Sequence, residues 1–527
     1  MSVGDRLWDV IVIGAGMGGG IAGRRLAEAG LNVLFIDRGP MGPRAEEQAL
    51  STEIADPAAR LIRGYWPDPL DAGVAGRQDR FFGALGAGAG GSSVFYAASL
   101  ERPARHDFED APGLPHPTGG WPVGADAFAP WFRQAETLLN LAGTPDPLSP
   151  GEDAALRAPP PLSPAGAALE GAFRARGLHP YRMHVGIGYG PDCRECIGHK
   201  CPRPCKMDGR SAGVEPALAT GRAEWLGGCL VTALHADAGR VRAVEVRRGA
   251  EVLRLRARAF VLAAGGLGSP ALLLASRSEL WPDGVANRSG MAGRNLMFHL
   301  NERIAIWPPG RHGPDTGPRK SLALRDFYAV EGQRFGLFQA MGLTASYGNI
   351  VQFLNDRFDR SALRRLRVLR EFTRIPALIA ARMLGEAHVY VGILEDLPYA
   401  DNRVRVPAAP GAIGFDYRFA PELLARRRLY RRHIRRGLGG LRSLFLTFEP
   451  ELNIGHPCGT LRFGIDPARS VLDPECRAHG VANLYVADSS FMPTATGVNP
   501  SLTIAANALR TADALVRGFA RLPEATP

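Results

Sequence analysis

Four of the seven cysteines crowd one short stretch, Cys193-Arg-Glu-Cys196-Ile-Gly-His-Lys-Cys201-Pro-Arg-Pro-Cys205. The spacing C-x2-C-x4-C-x3-C, on a loop broken by glycine and proline, lets four thiols converge on one centre, and thiolates suit Zn2+ or an iron–sulfur cluster. Lys200, Arg203 and Lys206, with His199 when protonated, would favour the thiolate form. Two other readings stand beside this one: local disulfides, or reduced cysteines packed as small apolar side chains. A second pattern with chemistry in it opens the chain. Gly14, Gly16 and Gly19 form G-x-G-x-x-G, and Asp37 follows, roughly twenty residues on as the dinucleotide fingerprint has it. Gly14 permits a tight turn, Gly16 lets a pyrophosphate approach the backbone, Gly19 lets a helix pack closely on a strand, and the acid can accept hydrogen bonds from a ribose diol.

These residues work only between the right elements. Val10 to Ile13 is a short apolar run and reads as a buried strand; Ile21 to Ala29 has helical periodicity, with Gly30 at its end; Leu31 to Asp37 reads as a second strand. Such a β-α-β unit puts the glycines at a helix N-terminus, where free N–H groups and the positive dipole end hold phosphates.

At 527 residues the chain should hold two domains or one with large insertions. The net charge of +11 would suit nucleic acid or an anionic surface. The densest arginine runs come late, however, so much of the charge is local and nucleic acid is not an expected partner. No apolar run of about 18 residues predicts a membrane-spanning helix, and no signal-peptide pattern precedes the first strand; both point to the cytosol. An odd cysteine count with four in one loop argues against a secreted disulfide framework.

Phe81 to Ser93 is dense in glycine and contains Gly90-Gly91-Ser92-Ser93. So much glycine costs backbone entropy and makes sense where main chain lies against a flat ligand or a second phosphate. Trp121-Pro122 and Trp131 to Glu136 follow. Near the end come Gly455-His456-Pro457-Cys458-Gly459, Asn483 to Asp488-Ser489-Ser490, and Gly497-Val-Asn499-Pro500, with a helix predicted from Ile504 to Val516. Together with the N-terminal unit these stretches resemble the glucose–methanol–choline (GMC) oxidoreductases, FAD enzymes that oxidise alcohols.

The resemblance implies an α/β fold: a Rossmann-like FAD-binding domain of the GMC and p-hydroxybenzoate hydroxylase type, with a substrate domain on an antiparallel sheet. The implied FAD-binding domain is discontinuous, 1–105, 206–300 and 453–527. The substrate domain is 106–205 and 301–452, carrying the Cys-rich loop 192–206 and an Arg-rich helical segment 357–384. By carry-over, Gly14, Gly16, Gly19, Asp37, Arg38, Gly90, Gly91, Ser92, Val231, Ala264, Asp488, Asn499 and Pro500 contact FAD. Some members attach FAD through a histidine just after the Gly-Gly-Ser-Ser loop; Val94-Phe95-Tyr96 stands here instead, so FAD is expected to be non-covalent. Tyr96 also replaces the asparagine of many members. His456 is implied as the catalytic base and Asn499 as its partner, with the last helix directed at the flavin pyrimidine. His299, in a stretch that also fits the family, reads as a structural histidine. The chemistry is consistent: transfer of a hydride from an alcohol carbon to flavin N5 requires loss of the hydroxyl proton, which a neutral imidazole can take, and such help is worth roughly 10² to 10⁴ in rate.

Arg334 to Met341 and His388 to Leu394 read as antiparallel strands. Between them, Arg357 to Leu384 mixes many arginines with Leu363, Leu366 and Leu369 at helical spacing and Pro376 as a break. Such a helix either covers the protein's own core or lies in a bilayer interface, which would bring the enzyme to the inner face of a membrane with a quinone or an electron-transfer protein as acceptor. A second Arg-rich helix is expected over Glu422 to Leu444, packed on one face and solvated on the other. The expected activity is oxidation of a CH–OH group of a sugar-like or natural-product alcohol. The cysteine loop and the Arg-rich segment favour a dehydrogenase over an oxidase. A lyase or isomerase on the same fold and an electron-transfer subunit without its own substrate are the competing functions.

Overall fold

The N-terminal motif folds as its spacing predicts, with a longer first strand and helix and a shorter second strand. The computed structural model describes residues 6–45, 54–149, 153–313, 317–344, 347–359 and 361–522. Strand β1 is Leu7–Ile13, helix α1 is Met17–Glu28 and strand β2 is Val33–Ile36. Helix α1 begins at Met17 rather than Ile21, through three consecutive glycines. Poor helix formers are retained there because the backbone is approached closely: a Cβ on Gly18 would lie 1.7 Å from the Ala487 carbonyl oxygen, and one on Gly20 2.4 Å from that of Gly209.

β1 pairs in parallel with β2 on one side and with the long strand Glu251–Leu262 on the other. Ala223–Leu226 extends the sheet beyond β2 in parallel, while Val241–Arg248 and Leu230–Ala236 form an antiparallel flap against the outer half of Glu251–Leu262. Leu484–Val486 joins its inner half in parallel. Val10, Ile11, Val12 and Ile13 are all buried, as expected for a parallel strand covered on both faces. The last helix is Ser501–Gly518, with Pro500 as its N-cap, and it packs against α1.

The second sheet is antiparallel, in the order Ser443–Phe445, Leu300–Ile306, His388–Leu394, Phe338–Thr344, Leu322–Leu324, Tyr181–Arg182. The expected strand from Arg334 is divided: Gln333–Arg334 pairs locally with Ala329–Val330, and the sheet strand starts at Phe338. A smaller sheet joins Leu70–Val74 and Arg77–Phe81 to Arg403–Arg405 and Gly414–Tyr417.

The Arg-rich segment departs from expectation. Helix Tyr347–Asp359 is followed by short turns and by helix Arg374–Leu384. Pro376 is not the break; it sits in the first turn of helix Arg374–Leu384, where a missing N–H costs nothing. Leu366, Val368, Phe372, Ile375, Ile379 and Met383 are exposed rather than laid on the core. Among the described residues no helix is long and apolar enough to cross a membrane. The second Arg-rich helix ends at Gly437, and its arginines are not simply solvated. Arg426 and Arg427 are buried, and Arg427 and Arg431 both bind the buried carboxylate of Glu302, which faces them from the antiparallel sheet and needs counter-charge.

Candidate active site

A cavity of about 960 Å3 is lined by the loops of the parallel sheet, by strands of the antiparallel sheet and by the C-terminal segment. Gly14, Gly16, Asp37, Arg38, Gly91, Ser92, Val231, Ala264, Asp488, Asn499, Pro500 and His456 all line it. Gly19 and Gly90 shape it from behind. A Cβ on Gly19 would lie 2.0 Å from the Gly14 carbonyl oxygen, and Gly90 turns at φ +86° against Val94. Gly16 is the opposite case, since a Cβ there would meet nothing within 4 Å. No side chain caps the start of α1, so its first-turn N–H groups and the open space over Gly16 form a cradle for a pyrophosphate. The residues present therefore fit an FAD.

Asp37 does more structural work than a ribose acceptor requires. Its carboxylate accepts N–H bonds from Ala15 at 2.9 Å, Gly39 at 2.9 Å and Gly88 at 2.7 Å. A carboxylate offers about four acceptor directions, so most are spent tying the turn after β1 to the glycine-rich loop. Burial raises its pKa and those N–H groups oppose the rise. Arg38 is held by Asp68 at 2.5 Å and by the Gly411 carbonyl at 3.2 Å. Asp488 accepts from the Gly265 N–H at 2.8 Å, the Ser490 N–H at 2.9 Å and the hydroxyls of Ser269 and Ser490. It thereby anchors the start of helix Gly265–Ala275 to the C-terminal segment.

His456 does not stand alone. Its Nδ1 lies 3.1 Å from Nδ1 of His299, whose Nε2 lies 2.9 Å from the Thr496 carbonyl oxygen. A carbonyl only accepts, so His299 carries its proton on Nε2 and presents a lone pair at Nδ1. The His456 contact then needs the proton on its own Nδ1, leaving Nε2 as the basic nitrogen. The Asn453 NH2, oriented by the Gly455 N–H on its Oδ1, lies 3.1 Å from Nδ1 and 3.4 Å from Nε2 of the same ring; as a donor it can bond only the unprotonated nitrogen, which with the proton on Nδ1 is Nε2. Burial, then the neighbouring His299 and Lys320, hold the His456 pKa well below the ordinary imidazole value; burial holds His299 at about 4. Asn499 Oδ1 accepts a 2.9 Å bond from Gln339 Nε2, so the Asn499 amide is left with its NH2 as donor. The loop bearing Asn499 is itself pinned, because the Gly497 N–H binds the Tyr328 hydroxyl at 3.0 Å, which donates to Asp107 at 2.6 Å. His299, Gln339 and Lys320 are the residues sequence reasoning missed as site members. Of these only His299 lay in a visible motif.

The cysteine loop gives the expected metal centre no support. All four thiols are free, and among the described residues no three His, Cys, Asp or Glu side chains are grouped to hold a metal ion. Cys201 and Cys205 are turned to each other, with their sulfurs 3.2 Å apart, and Cys193 accepts the Glu195 N–H at 3.4 Å. Burial would raise Cys201, but the N–H groups of Lys206, Arg203 and Cys205 and the Cys205 thiol lower it. Cys205 is pushed up to about 12 by burial and by that same bond. Burial raises the Cys196 thiol and the Lys206 charge lowers it, as expected, but Lys206 makes its hydrogen bonds elsewhere. It is buried, and its ammonium donates to the carbonyls of Val94 at 2.9 Å, Tyr96 at 3.2 Å and Cys196 at 2.8 Å. The loop is thus strapped to the glycine-rich loop, and Ile197 and Gly198, not its cysteines, line the cavity. The Tyr96 hydroxyl bonds the Met207 carbonyl.

Fold and cavity together define an FAD-dependent oxidoreductase acting on CH–OH groups. The GMC oxidoreductase N-terminal profile matches residues 9–301 and the C-terminal profile residues 447–508; the chain belongs to the GMC oxidoreductase family. It is 31% identical to paromamine 6'-oxidase of Streptomyces fradiae over 97% of this chain and 92% of that protein. It is 30% identical to 6'''-hydroxyparomomycin C oxidase of Streptomyces lividus over 98% and 92%. The crystal structure of pyridoxine 4-oxidase from Mesorbium loti shares the fold, with a TM-score of 0.63 at 20% identity, covering 96% of this chain and 99% of that one.

Proposed function

We propose that the enzyme oxidises a CH–OH group of a sugar-like or natural-product alcohol to the carbonyl, with His456 as the base. The observation that carries this reading is the chain from the Thr496 carbonyl through His299 to His456, which leaves one imidazole nitrogen basic at a cavity wall. Bound FAD, non-covalent because no histidine follows the Gly-Gly-Ser-Ser loop, would supply the two-electron acceptor. His456 Nε2 takes the hydroxyl proton, and its lowered pKa keeps it neutral and ready at pH 7. The Asn499 NH2, oriented by Gln339, donates to the alcohol oxygen as negative charge develops on it. FAD-binding segments 1–105, 206–300 and 453–527 and substrate-binding segments 106–205 and 301–452 are the domain division that fits this reading.

Oxygen is the acceptor that the two Streptomyces relatives, both named as oxidases, support. A second reading is favoured by the exposed apolar residues between Leu363 and Met383, interleaved with arginines. Such a surface suits the anionic inner face of a membrane and a quinone within it. The test is direct. Purified enzyme should show flavin absorbance, should bleach anaerobically with an alcohol from a panel of polyols, glycosides and hydroxy acids, and should regain colour with air. Bleaching by no alcohol, or recolouring only with quinone in anionic vesicles, decides against the first reading or for the second.

A further inference from the structure

The part of the cavity wall formed by the antiparallel sheet contains a lysine and no carboxylate. Lys320 precedes strand Leu322–Leu324, is 4% exposed and lines the cavity. Its ammonium donates to Ser99 Oγ at 2.9 Å and the Ala340 carbonyl at 3.3 Å, which leaves one of its three N–H groups unspent. Among the described residues it forms no ion pair. The carboxylates nearest it in charge terms, Glu195 and Glu101, do not pair with its ammonium: Glu195 binds Arg319 at 3.1 Å and the Lys320 backbone N–H at 3.5 Å, and Glu101 binds the His184 N–H at 2.8 Å and the Tyr181 hydroxyl at 3.0 Å. Next on the wall is Gln339, 2% exposed, whose Nε2 is committed to Asn499 while its buried Oε1 has no partner. An ammonium withdrawn from water without a counter-ion is costly, and a lone acceptor on the same wall adds to the cost. Both costs are relieved by one kind of molecule.

We infer that the substrate alcohol carries a carboxylate, seated against Lys320, and a second hydroxyl that donates to Gln339 Oε1. This deepens the alcohol-oxidation reading and rests on it. Alcohols bearing an ammonium are turned away by the same charge. Burial lowers the Lys320 pKa to about 8, so the charge is still largely present at pH 7.

Binding, not turnover, tests this. Holoenzyme at pH 7 is titrated with benzoate and acetate, with their neutral isosteres benzamide and acetamide, and with benzylamine, following perturbation of the bound flavin spectrum. The carboxylates should bind on the order of tenfold or more tightly than the amides, and benzylamine should bind most weakly. Lys320→Gln, which keeps a donor for Ser99 without the charge, should erase the preference, and Lys320→Arg should retain most of it. Equal binding of acid and amide by the unaltered enzyme, no saturable carboxylate signal, or a preference that survives Lys320→Gln would each overturn the inference. Failure of the alcohol-oxidation reading would show separately, as an alcohol panel that never bleaches the flavin.

Discussion

In the proposed reaction His456 and Asn499 meet one alcohol oxygen with opposite hydrogen-bonding roles, and each is set by a neighbour. His299 leaves His456 an unprotonated Nε2; Gln339 leaves Asn499 its NH2. His456→Ala should lower kcat/KM by roughly 10² to 10⁴ with flavin content unchanged, as read by steady-state rates and absorbance on the same preparation. Because burial holds the His456 pKa well below its ordinary value, kcat/KM should stay level as pH falls to about 6.5 and drop only below it. An acidic limb centred at or above that value would contradict the assignment. The imidazole and the amide were legible in the C-terminal motifs. Their orienting partners were not, because Gln339 lies on a strand whose sequence shows only alternation.

At the scale of elements, the turn between β1 and α1 separates glycines kept for packing from a glycine kept for a ligand. Gly18→Ala would drive a Cβ into the Ala487 backbone and should destabilise the fold by about 3 kcal/mol or more, seen as a lowered Tm and poor soluble yield. Gly16→Leu meets open space. It should leave the Tm of the flavin-free protein close to that of the parent while FAD no longer stays bound through gel filtration. The sequence pattern marked this turn but assigned Asp37 mainly to a ribose. Its carboxylate is largely spent on three backbone N–H groups, from residues as far away as Gly88, and a contact over that separation leaves no local trace.

For the whole molecule, buried groups of two kinds pull stability in opposite directions with pH. His299, held at about 4, and His456 stay neutral in the fold while unfolded imidazoles gain protons below about 6.5. Their contribution is therefore present above that pH and lost as pH falls toward 4, about 3 kcal/mol for His299. Glu395, raised to about 8, and Asp396, raised to about 7, chiefly by burial, are protonated in the fold where unfolded carboxyls are ionised. Their contribution is lost as pH rises from about 4.5 to about 8. Thermal melts should show His299→Asn losing less Tm than the parent between pH 6.5 and 4, and Glu395→Gln losing less between pH 6.5 and 8. The exposed Leu366, Val368 and Phe372 carry the membrane reading. The parent should sediment with vesicles containing anionic lipid and not with neutral ones, and aspartate at these three positions should abolish the effect.

Periodicity and turn chemistry are local properties, so the β-α-β unit and its dinucleotide turn could be read along the chain, while FAD and the positions of His456 and Asn499 came from short motifs that resemble the family's. The assembled site could not, because its decisive contacts join residues far apart in sequence. His299 and His456 are separated by 157 positions and Gln339 and Asn499 by 160. Folding of the antiparallel sheet and the C-terminal segment around one cavity brought these pairs together and placed Lys320 on its wall. Burial, which depends on every layer at once, then set which of these groups hold a proton.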